Sequence, residues 1–82
     1  MKHYILYSSK ECCLCDDAMG ILNEFGAGKR FHVEKVDIYK DKSLLIKYRV
    51  HIPVLKDEES GRELGWPFTL SSLSDWIAEL EL

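Results

Sequence analysis

The chain has 82 residues, 46% of them apolar and 30% charged, and a formal net charge of −3. A protein of this length buries about 60–65% of its unfolded surface, enough for one domain around one efficient core. No low-complexity tract signals disorder, and the scattered basic residues exclude an electrostatic footprint for nucleic acid or an acidic membrane.

Met1-Lys2-His3 leads into the short apolar run Tyr4-Ile5-Leu6-Tyr7. A secretory core needs about 7–15 apolar residues and a membrane span about 20, so neither is expected. The three cysteines fall within four positions, Cys12 to Cys15. A secreted disulfide scaffold spreads an even number along its length; this pattern fits a reduced, cytoplasmic and catalytic setting.

In chain order, His3 to Ser8 reads as a buried strand, short, aromatic and β-branched, stopped by Ser8-Ser9. Leu14, Ala18, Ile21, Leu22 and Phe25 then recur as one face of an amphipathic helix. Asp16 and Asp17 complement the dipole of its first turn, and Gly26-Ala27-Gly28 ends it. Phe31 to Ile38 alternates as a second strand, so the helical connection predicts a right-handed parallel βαβ unit.

Asp41 is placed to cap a short helix whose inner side is Leu44, Leu45 and Tyr48. Ile52-Pro53-Val54-Leu55 and Arg62-Glu63-Leu64-Gly65-Trp66 read as two strands of an antiparallel hairpin. The polar turn Asp57-Glu58-Glu59-Ser60-Gly61 joins them. Thr69 caps the closing helix, with Phe68 and Leu73 as a hydrophobic staple and Leu73, Trp76, Ile77 and Leu80 as its buried stripe. The order β-α-β-α-β-β-α predicts one α/β domain over residues 1–82, its helices covering both sheet faces.

The C-x-x-C pair Cys12/Cys15 follows the first strand and opens the first helix. A helix N-terminus offers unpaired N–H groups and partial positive charge, which favour a thiolate, and the two-residue spacing lets the sulfurs join. Together with Val36-Asp37-Ile38, Ile52-Pro53-Val54-Leu55 and the last helix around Trp76, this arrangement resembles the glutaredoxin-like family of the thioredoxin superfamily, among small C-x-L-C proteins. The resemblance spans nearly the whole chain. It implies the thioredoxin/glutaredoxin-like fold around a central four-stranded mixed sheet, and a cis Pro53 facing the disulfide.

Departures from that pattern bear on the substrate. Cys13-Leu14 replaces Pro-Tyr, and Ser9 stands where glutaredoxins carry lysine, with Lys10 one place later. Their Gly-Gly-x-Asp glutathione turn has no counterpart in Gly65-Trp66-Pro67-Phe68-Thr69, which predicts weak use of glutathione.

Cys12, outermost on the helix, is the expected nucleophile, and Cys15 the resolving thiol. Glu11, Asp16 and Asp17 oppose ionisation of Cys12 while Lys10 assists it, so a reducing rather than oxidising couple is expected. Ile52 and Pro53 would offer a main-chain edge to an extended substrate, beside Lys10. Cys13 is either a passive small residue or an accessory thiol; Trp66 is either core or part of an apolar rim. Asp37 reads as a turn or cap acid, with proton acceptor for Cys15 as the alternative.

His3, His32 and His51 show no metal-ligand spacing. No cofactor and no metal are expected. The function so read is a thiol–disulfide oxidoreductase acting as a monomer on disulfide-containing proteins or small molecules. Its partner reductant is either a thioredoxin-type system or glutathione. The alternative is a metal or iron–sulfur module built on Cys12, Cys13 and Cys15, although a closed zinc site wants four ligands.

Overall fold

The computed structural model describes residues 2–10, 13–28 and 31–80. Its elements are β1 (Lys2–Ser8), α1 (Cys13–Gly26), β2 (Phe31–Asp37), α2 (Lys42–Tyr48), β3 (Val54–Asp57), β4 (Glu63–Gly65) and α3 (Leu70–Leu80). They form one α/β unit around a four-stranded mixed sheet of order β2-β1-β3-β4. β1 pairs with β2 in parallel from Lys2↔Phe31 to Ser8↔Asp37, and with β3 antiparallel from Tyr4↔Asp57 to Tyr7↔Val54.

Alternation along the central strand divides the core in two, because successive side chains point to opposite faces. Tyr4 and Leu6 join Leu55, Ala18 and Leu22 of α1, and Leu73, Trp76 and Ile77 of α3. Tyr7 joins Ile38, Tyr48 and Val54, with Ile5, Val36, Leu44 and Leu45 packed around them. Helices therefore cover both faces, α1 and α3 on one and α2 on the other. Leu6, Leu55 and Leu73 have no exposed surface; burial of each such side chain contributes about 1.5–3 kcal/mol.

Local signals account for the element ends. Asp41 caps α2, its Oδ1 accepting from the N–H groups of Ser43 at 2.8 Å and Leu44 at 3.4 Å. Thr69 and Ser72 form a reciprocal capping arrangement at α3. The Ser72 N–H donates to Thr69 Oγ1 at 3.1 Å and the Thr69 N–H to Ser72 Oγ at 2.8 Å. Phe68 and Leu73 lie buried in the same cluster, in the staple positions.

Several boundaries differ from the sequence expectation. Ile38 opens a 3-10 turn, Ile38–Lys40, instead of closing β2, because the Asp37 side chain accepts the Tyr39 N–H and turns the backbone. The third strand begins at Val54, since Pro53 has no N–H for a ladder, and continues to Asp57. Asp57, read as a turn residue, is thus a buried strand end whose carboxylate accepts from Glu59 and Ser60. The hairpin closes through Gly61, whose N–H donates to the Asp57 carbonyl at 2.8 Å. Its φ of +79° favours a residue without Cβ. β4 keeps only Glu63–Gly65 of the expected Arg62–Trp66. Leu14, assigned to the buried helix face, is 48% exposed. It lies in line with half-buried Ile21 and Phe25, on the flank of the stripe Cys15, Ala18 and Leu22.

Candidate active site

β1 ends in buried Ser8, and Ser9 and Lys10 carry the chain toward α1 across the carboxyl ends of the parallel strands. Such strand ends are where open α/β sheets bind ligands. Cys15 sits in the first turn of α1 with no exposed surface and is disulfide-bonded, whereas Cys13 is an exposed free thiol. Cys12, expected from the sequence as the nucleophile, and Glu11 lie outside the described residues. Asp16 and Asp17 are exposed on the same helix start, and Asp16 faces Lys35 at 3.9 Å.

On one side of β1 lies the loop before β3. The Ile52–Pro53 bond is cis, Pro53 is buried and Ile52 half-buried. The Pro53 carbonyl accepts the Trp66 N–H at 3.1 Å, so these two candidate residues meet through the main chain. Trp66 packs on the first core and meets Phe68 edge-on at 5.1 Å. Its role as core is thereby visible, with half-buried exposure leaving part of the ring at the surface. The Trp66–Pro67 bond is also cis, a feature no sequence signal announced.

Tyr48 anchors this loop. Its carbonyl accepts the N–H groups of His51 at 2.8 Å and Ile52 at 3.1 Å, and its hydroxyl donates to Glu63 Oε2 on β4. Burial, then the hydrogen bond to Glu63 and that residue's negative charge, hold the Tyr48 hydroxyl well above its ordinary pKa. Burial and Glu63 raise Tyr7 as well. Sequence reading missed this cluster because its members are far apart in the chain; an apolar-face Tyr at 48 was its only trace.

On the other side of β1, Lys10 lines a cleft with Ser9, Asp37 and Tyr39. Asp37 serves as the cap of the 3-10 turn, its Oδ1 accepting from Tyr39 at 2.9 Å. All three histidines are exposed. His3 and His32, opposite each other across β1 and β2, meet edge-on at 5.3 Å because parallel pairing puts them in register. Among the described residues, no three His, Cys, Asp or Glu side chains gather to hold a metal. Nor is any described helix long and apolar enough to cross a membrane.

Residues 3–78 match the family described as Glutaredoxin-like domain (DUF836). The chain belongs to the glutaredoxin-like domain family. The solution structure of protein XcR50 from X. campestris is 38% identical, with a TM-score of 0.76 over 96% of this chain and 95% of that one. Protein Ne2328 of Nitrosomonas europaea is 20% identical, with a TM-score of 0.79 over 92% and 89% of the two chains. Thioredoxin 1 of Thermosipho africanus is 12% identical with a TM-score of 0.70, covering 95% of this chain and 92% of its own. These last two likenesses show the thioredoxin-like fold. No curated protein matches the chain. At the level of the family, this glutaredoxin-like chain is a redox-type thiol protein.

Proposed function

We propose that this glutaredoxin-like protein is a cytoplasmic thiol–disulfide oxidoreductase using Cys12 and Cys15. The observation that carries the reading is Cys15 itself, fully buried in the first turn of the helix that follows β1. A buried second cysteine is shielded from solvent and reached most readily by a neighbouring sulfur. Cys12 thiolate attacks one sulfur of a substrate disulfide, giving a mixed disulfide and releasing a thiolate that takes up a proton. Cys15 loses its proton and attacks the Cys12 sulfur, releasing the second substrate thiol and leaving a Cys12–Cys15 disulfide. Two electrons and two protons pass to the substrate, and an external dithiol or two monothiols restore the enzyme.

Support for a thioredoxin-type reductant over glutathione comes from the approach to α3. Pro67 has no N–H, and the Thr69 and Ser72 N–H groups are already spent on each other's hydroxyls. An anionic tripeptide finds there few of the charge-assisted bonds that would hold its carboxylates. Turnover of a disulfide peptide with a thioredoxin system or with glutathione as electron source tests the reading. Expected is efficient turnover with the first and weak turnover with the second. No reduction by either, with the dithiol intact, removes the activity.

A further inference from the structure

Two cavities, of about 510 and 220 Å³, share Ser9, Lys10 and Asp37 in their walls and so adjoin, and together they make up a cleft. Tyr39 lines its larger part; Ser8, Lys35 and Lys40 line the smaller. Among the described residues, three lysines and one aspartate therefore line this cleft, in a protein whose net charge is −3. That carboxylate is partly engaged, because Asp37 Oδ1 accepts the Tyr39 N–H. Lys35 has Asp16 at 3.9 Å, an exposed pair of small energetic weight. Among the described residues, neither Lys10 nor Lys40 has a carboxylate within ion-pair distance.

The position of the cleft matters as much as its charge. It opens at the carboxyl ends of β1 and β2, beside the segment Ser9–Lys10 that leads to the cysteines. The sheet order puts it across β1 from the Ile52–Pro53 loop. A chain lying against Pro53 and presenting its disulfide to the cysteines would reach this cleft with residues beyond the disulfide. Tyr39, 62% exposed, adds an aromatic wall to the same opening.

We infer that the Lys10/Lys35/Lys40 cleft is a subsite for acidic side chains flanking a substrate protein's disulfide. The inference rests on the oxidoreductase reading and names its substrate class. Carboxylates entering the cleft gain charge-assisted hydrogen bonds from lysine, and the local positive field raises the rate of encounter. Electrons still pass as above: the enzyme dithiol becomes a disulfide and the substrate disulfide becomes two thiols.

Single-turnover exchange between the reduced full-length protein and three disulfide peptides, matched except for Glu, Gln or Lys flanks, tests this. Expected is an order of rates Glu > Gln > Lys, with the extremes differing by about tenfold at low salt. The spread should collapse as salt shortens the Debye length to about 3 Å at 1 M. The double variant Lys35→Glu/Lys40→Glu should invert the order, whereas Arg62→Glu, with the charge change at the opposite end of the sheet, should preserve it. Equal rates for all three peptides, or inversion by Arg62→Glu as well, overturns the subsite while leaving the redox reading intact. Exchange with none of the peptides removes the redox reading and the subsite with it.

Discussion

The rings of Tyr7 and Tyr48 stack with centroids 4.3 Å apart and planes 16° from parallel. Tyr7 is the penultimate residue of the strand that leads to the cysteines, and Tyr48 is the last residue of α2. Through this pair the two segments on either side of the site, Ser8–Lys10 and His51–Pro53, share one packed support. Glu63 extends it to β4, with Lys47 at 4.0 Å from the same carboxylate and 5.1 Å above the Tyr48 ring.

Replacing Tyr48 by Phe keeps the stack and removes the donor to Glu63. The expected cost is about 1.5–3 kcal/mol, the range for a hydrogen bond to a charged acceptor. Urea unfolding should show a lower midpoint at unchanged slope. An unchanged midpoint would mean that Lys47 and water satisfy Glu63 equally well.

Both tyrosines ionise less readily in the folded chain than at their ordinary value of 10.0. Above about pH 10 the folded state therefore holds more protons than the unfolded state, and stability falls as pH rises. Below that pH the contribution is fully present. Denaturation followed from pH 8 to 11.5 should show a loss beginning near 10, shallower in Tyr48→Phe. A flat alkaline limb in the parent chain contradicts the buried, neutral pair.

Two glycines of α1 should respond oppositely to alanine. A Cβ at Gly20 meets nothing within 4 Å, so Gly20→Ala should stabilise by about 0.5–1 kcal/mol through helix propensity. A Cβ at Gly26 would lie 2.7 Å from Phe31 Cδ1, in a ring that packs on Tyr4 at 4.8 Å and Phe25 at 5.4 Å. Gly26→Ala should destabilise by about 1–3 kcal/mol. Thermal melts of the two variants decide it; equal stabilisation would show that the Phe31 ring simply swings aside.

What was legible in the sequence was what neighbours along the chain determine. Asp41 and Thr69 cap because their acceptors lie two or three residues from the donors they serve. The short apolar run Tyr4–Tyr7 marked a buried strand, while the division of its side chains between two cores appears only in the fold. The start of β3 was misplaced because the β-branched, apolar Ile52 reads like a strand residue, while ladder pairing begins only after Pro53. Leu14 has core chemistry, yet the first turn of α1 leaves its flank uncovered. The Tyr7–Tyr48–Glu63 cluster, the His3–His32 contact and the lysine cleft depend on register and packing across the sheet. Periodicity along the chain carries none of that.

The most direct test of the central claim is thiol trapping of the whole protein across a series of dithiol/disulfide redox buffers, read by intact mass and peptide mapping. Expected is a single reversible two-electron transition at a reducing potential, about −200 to −270 mV. In the oxidised form Cys13 alone should be alkylated, and either Cys12→Ser or Cys15→Ser should abolish the transition. A disulfide that includes Cys13, or oxidation that proceeds only between molecules, contradicts the assignment of Cys12 and Cys15 as the reactive pair.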